Sequence, residues 1–158
     1  MNVAGFSEAL ESAVRVRIDS DLAIPLASLP GLIILKLFAW LDRKQERRDA
    51  PDILTIISGY ADAGNEERLY TDELQLLEAA EFDITTAGAR LLGEDARRVS
   101  SAKIAATLIK VLDNVSRTQD LLNQMVQSRS RLDEPFANRC ALLLGNFHVG
   151  FHKGKPQS

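Results

Sequence analysis

Lys36, Arg43, Asp49 and Asp52 are the residues of this chain whose types and spacing could do chemistry together. Lys36 interrupts the apolar run from Leu32 to Leu41, LIILKLFAWL, which Ser28 could cap and Pro30 could open from the first turn. A helix apolar on nearly all sides must be buried, and an ammonium on it demands an anion, because an unpaired buried one gives up its proton. At helical spacing Lys36 shares a face with Ala39, Arg43 and Arg47, a cationic stripe with a small residue in its middle where a ligand could approach the backbone. Just downstream, Asp49 can cap a second helix through Pro51, and Asp52 follows three residues later on the same face. Two chemistries fit. Lys36 and Asp52 could form an internal ion pair that fixes how the two helices cross. Alternatively, the cations could bind phosphate beside a metal ion, with Lys36, Asp49 and Asp52 as the catalytic group and Lys36, Arg43 and Arg47 as the phosphate-binding group.

The pattern Lys36-x-x-Ala39-x-x-x-Arg43 followed by Asp49-x-x-Asp52 resembles the third and fourth motifs of the AbiEii/AbiGii-type nucleotidyltransferase toxins and their bacterial relatives. The likeness runs from about Phe6 through Ile24 to Asp52, and more loosely over Asp83 to Glu94, FDITTAGARLLGED being similar to a helical stretch of one subgroup. The resemblance implies transfer of a nucleotide from a nucleoside triphosphate to RNA or protein, with magnesium as cofactor and an antitoxin protein as partner. In that scheme Lys36 neutralises the triphosphate, Arg43 assists, and Asp49 or Asp52 positions Lys36 or acts near the metal. The family's glycine-rich turn and Asp-x-Asp pair, which hold the triphosphate and magnesium, have no counterpart before Lys36. The chain therefore resembles the family's C-terminal part, as if truncated, and is expected to be inactive alone, with no cofactor or metal site of its own.

The elements that must position these residues are mostly helical. Val14, Val16 and Ile18 alternate with Arg15 and Arg17 in a period-two strand, and Ala23–Ala27 returns as a second, giving a hairpin behind a short helix from Val3 to Glu11. Asp19-Ser20-Asp21 then reads as its turn rather than as the missing Asp-x-Asp. From Ser28 onward the pattern predicts a bundle of about six or seven helices. Thr71 caps one bearing Leu74 and Leu77, Thr85 or Thr86 starts another that Gly93 stops, and Ser100 opens the next. A break near Asn114 to Ser116 leads to Leu121 and Met125. In the last helix, capped by Asp133, Phe136, Cys140, Leu143, Leu144, Phe147 and Phe151 line one side. The fold class expected is mainly α (α+β): residues 1–27 as the remnant of a nucleotidyltransferase sheet, 28–152 as a helical domain, 153–158 as a disordered tail.

At 158 residues and 46% hydrophobic content the chain can bury a core, and its net charge of −3 excludes a generic nucleic-acid coat. A helix-turn-helix DNA reader is a weak third reading, for want of a basic recognition helix after a short turn. One cysteine, Cys140, precludes an internal disulfide, and with no signal peptide or membrane span the expected compartment is the cytoplasm. His148 and His152 have metal-ligand spacing but no evident third ligand. Trp40 and Tyr60 lie on apolar faces and read as core rather than base-stacking residues, while Glu8 and Glu11 receive no role. The competing class is a non-enzymatic helical interaction module, a possible homodimer or a partner for a separate catalytic chain, which would cover its hairpin edge and its greasy central helix.

Overall fold

Alternation around Val16 does produce a strand: in the computed structural model, which describes residues 6–19, 22–43, 46–127 and 134–154, β1 (Val14–Asp19) pairs antiparallel with β2 (Leu22–Leu26). Val14 faces Leu26 and Val16 faces Ile24, and the register shifts between Arg17 and Asp19. Pro25, opposite Arg15, is tolerated because a two-stranded ladder consists of edges alone. Helix α1 (Phe6–Glu11) precedes the hairpin. Residues 3–5 of the expected first helix, and Ser20 and Asp21 of the expected turn, lie outside the described residues.

The chain is mainly α, with this one short hairpin leading into a helical bundle. The bundle comprises α2 (Leu29–Asp42), α3 (Asp49–Gly59), α4 (Glu66–Tyr70), α5 (Leu74–Ala79), α6 (Ile84–Val99), α7 (Ala102–Leu112), α8 (Val115–Val126) and α9 (Glu134–Lys153). Between α3 and α4 the segment Ala61–Asn65 kinks at Gly64, whose φ of +92° is a conformation that suits glycine. Among the described residues no helix is long and apolar enough to cross a membrane.

Ser28 caps α2 as expected, its Oγ accepting the Gly31 N–H at 3.2 Å, and Pro30 sits in the first turn where no intrahelical N–H is needed. Ile33, Ile34, Leu37, Phe38 and Trp40 are then buried in the single core. The greasy helix is thus buried, as its composition requires, and largely by its own chain, whereas the interaction-module reading has another chain cover it. The hairpin is different, since Val14, Ile18, Leu22 and Leu26 are all exposed.

Several helix boundaries differ from the sequence reading, each for a local reason. Asp83, not Thr85 or Thr86, caps α6, its Oδ1 accepting the Thr86 N–H at 2.8 Å. Thr71 closes α4 instead of opening α5, which Glu73 precedes. Ser101 rather than Ser100 caps α7; Ser100 ends α6 and donates its hydroxyl to Ala96 O at 2.7 Å. Asn114 caps α8 within the expected break. Asp133 and residues 155–158 are outside the described residues, while Lys153, assigned to the tail, still belongs to α9.

The largest difference is Gly93, which does not stop α6. The helix runs six residues further because Gly93 serves as a spacer: a Cβ there would strike the Phe147 carbonyl oxygen, and one on Gly150 would strike Arg90 O. Helices α6 and α9 therefore cross backbone to backbone. Arg139 of α9 fixes the same crossing from its other end, donating from Nη1 to Asp83 Oδ2 at 2.7 Å and from Nη2 to Asp83 Oδ1 at 3.0 Å. This guanidinium, with the Thr86 N–H and against the opposing effect of burial, holds the Asp83 carboxyl down at about 2.

Overpacking a close crossing costs about 1–3 kcal/mol or more, because backbone atoms cannot rotate away. Gly93→Ala should lower stability by at least about 2 kcal/mol in urea unfolding. Gly145→Ala, at a helical position with nothing within 4 Å of the new methyl, should be neutral or stabilise by up to about 1 kcal/mol. Equal effects of the two would refute the spacer role.

Candidate functional site

Helix α2 delivers Lys36 and, at its C-terminal boundary, Arg43; the first turn of α3 delivers Asp49 and Asp52. The four converge. Lys36 Nζ donates to Asp52 Oδ2 at 2.6 Å and to Asp49 Oδ1 at 3.4 Å, while Arg43 Nη2 reaches Asp49 Oδ1 and Oδ2 at 3.3 and 3.2 Å. Asp49 is not the cap that its position suggests, because its side chain turns to these two cations, and Arg48, in the cap position, makes no capping bond.

Burial divides the two carboxylates. The Asp49 side chain is 4% exposed and that of Asp52 is 53% exposed. A buried carboxylate holding two cations is a fixed element of structure, whereas a half-exposed ion pair is worth about 0–1 kcal/mol and exchanges readily for another anion. The hydrogen bond from Lys36 to Asp52, aided by Asp49 and opposed by partial burial, raises the ammonium above its ordinary value, so Lys36 stays charged at neutral pH.

Arg47 does not join this group. It lies beyond the end of α2 with φ +55°, off the helical stripe, and its Nη1 donates to Gln127 Oε1 at 2.9 Å. Lys44, between them, is outside the described residues. Trp40 and Tyr60 are buried, as their apolar faces imply, and Trp40 Nε1 donates to Gln124 Oε1 at 3.1 Å.

The donor set does not fit a magnesium ion. Two of the four groups are cations, and both oxygens of Asp49 already accept from Arg43. Its two cations and two carboxylates balance one another, and of the four Asp52 and Arg43 are the most exposed to solvent.

The fold assembles two further constellations from residues distant in sequence. Asp95 of α6 is buried and accepts the Tyr60 hydroxyl at 2.6 Å and Arg68 Nη1 at 2.9 Å, with Arg98 closing on its other oxygen. Burial, together with the Asp95 charge, pushes the Tyr60 hydroxyl well above its usual range, so Tyr60 stays protonated and donates to Asp95. Asp95 and Arg98 also line a cleft of about 790 Å³ with Glu8, Glu11 and Ser101, and Glu8 Oε1 accepts the Ser101 hydroxyl at 2.6 Å. The second constellation is Asp113 with His148 and His152. It supplies the third group that the histidine spacing lacked.

Comparison with protein-family models, with curated proteins and with solved structures gives no match for this chain.

Asp49→Asn leaves Lys36 and Arg43 without their buried counter-charge, and should cost about 2 kcal/mol in urea unfolding. Asp52→Asn should cost less than about 1 kcal/mol. Equal losses would show that the two carboxylates are not the fixed and exchangeable pair described.

Proposed function

We propose that this chain is the helical part of a nucleotidyltransferase-like protein of the bacterial toxin–antitoxin type, and that Lys36 and Arg43 bind the phosphates of its nucleoside triphosphate. The observation that carries this reading is the unequal pair of carboxylates around one lysine. Asp49 is buried and orients Lys36, while Asp52 is half-exposed and can yield its place to a phosphate oxygen. Arg43, half-exposed and held by Asp49, adds a second donor for the same anion.

In this reading Lys36 neutralises charge on the triphosphate, Arg43 assists, and Asp49 is a positioning residue. Magnesium, when present, would organise the triphosphate for attack, and its carboxylates come from another unit, since the α2–α3 cluster does not fit it. The acceptor is RNA or protein by the family resemblance alone, as is an antitoxin partner.

A second reading, a non-enzymatic module that pairs with itself or with a separate catalytic chain, is favoured by the hairpin. Two strands alone are marginal in water, and β1 and β2 expose apolar side chains along their length. A dimer in light scattering that Leu22→Lys dissolves would support self-pairing, and a monomer would exclude it.

The nucleotide reading is tested by titrating Mg·ATP into the purified chain. Binding tighter than about 1 mM is expected, weakened at least about tenfold by Lys36→Met and by Arg43→Ala but not by Arg47→Ala. The chain alone should transfer no labelled nucleotide. Binding that all three variants leave unchanged would remove the phosphate role, and transfer by the chain alone would overturn the placement of the metal carboxylates elsewhere.

A further inference from the structure

Asp113 lies in the turn between α7 and α8, and His148 and His152 stand one turn apart on the same face of α9. The fold brings them together across 35 and 39 residues of sequence, with His148 Nε2 at 2.8 Å and His152 Nε2 at 2.7 Å from the same oxygen, Asp113 Oδ1. The ring centroids are 4.9 Å apart and the rings are tilted by 53° to one another. Hydrogen bonds from His152 and then His148 hold the Asp113 carboxyl below its ordinary range. Which partner donates in each contact depends on the tautomer of the ring.

We propose that Asp113, His148 and His152 form a binding site for a divalent transition-metal ion of the zinc class. Two imidazole nitrogens and one carboxylate oxygen are the donor types such an ion prefers, whereas calcium and magnesium favour all-oxygen shells. The three ligand atoms already lie within 4.8 Å of one another. Zinc bonds of about 2.0–2.1 Å in a tetrahedron place ligand atoms roughly 3.3 Å apart, so the two short contacts lengthen by about 0.5 Å while the Nε2–Nε2 separation, at most 4.8 Å, closes toward the same value. In the bound state each neutral ring gives the ion its Nε2 lone pair and carries its single proton on Nδ1, and the second proton of any charged ring goes to solvent.

Three protein ligands leave a tetrahedral ion one position for water or another ligand, and Asp113 and His152 are exposed enough to admit it. Beside Asp113 and His148 runs a mainly apolar cleft of about 270 Å³, between Leu112, Val115 and Leu122. The ion would also tie α9 to the α7–α8 turn, where both rings already lie at hydrogen-bond distance from Asp113 Oδ1. This site shares no residue with the α2–α3 cluster and stands independently of the nucleotide reading.

The test is calorimetric titration of zinc chloride into the full, untagged chain after chelator treatment, with a thermal melt at each zinc concentration. One zinc per chain with Kd tighter than about 10 µM is expected, together with a Tm that rises with zinc. Asp113→Asn, His148→Gln and His152→Gln should each weaken binding at least about tenfold while Cys140→Ser leaves it unchanged. Circular dichroism identifies any variant that fails to fold, and the two most exposed positions, Asp113 and His152, then decide the matter. Binding weaker than about 10 µM, or zinc affinity unchanged in Asp113→Asn and His152→Gln, would overturn the site.

Discussion

The backbone-to-backbone crossing of α6 and α9 at Gly93 and Gly150 is the constraint on which the rest of this structure depends. Two helices that meet without intervening side chains leave no slack in register, so one contact sets where every other residue of α9 falls. It places Phe147 and Phe151 in the core, Arg139 against the cap of α6, and His148 and His152 beside Asp113. The opposite side of α6 carries Asp95, which ties Tyr60 after α3 and Arg68 of α4 into the same framework.

Buried carboxylates do a second kind of positioning. Asp49 and Asp95 are both almost fully buried, and each is held by two cations, as a charge removed from water must be. Asp95 joins three elements and is closed off by a tyrosine whose proton is firmly retained. Asp49 instead faces cations that remain partly in solvent, and the neighbouring Asp52 is more exposed still. The same chemistry therefore gives a rigid interior joint in one place and a partly solvent-exposed ion-pair cluster in the other. Burial decides which.

Much of the fold was legible because it follows from local pattern. The period-two run around Val16, the Ser28 cap with Pro30, and the apolar stripe from Phe136 to Phe151 all form the elements their spacing implies. The convergence of Lys36, Arg43, Asp49 and Asp52 was legible too, since a lysine in an apolar run requires an anion close by. What failed was ambiguous locally. A glycine after an apolar helical turn can end a helix or let another helix approach, and only the position of Gly150 distinguishes these for Gly93. Arg47 fits the helical stripe on paper, but α2 ends at Asp42 and the chain leaves the face. Asp113 has no sequence relation to the histidines, and the fold alone brings it to them.

The most direct test of the central claim, that Lys36 is oriented by Asp49 and releases Asp52 in favour of phosphate, is to follow the Lys36 ammonium by nitrogen-15 NMR while Mg·ATP is added. A saturable shift of that resonance, retained in Asp52→Asn and lost in Asp49→Asn, is the expected result. A Lys36 signal that stays unchanged at millimolar Mg·ATP would mean that the lysine is only the middle of an internal ion pair.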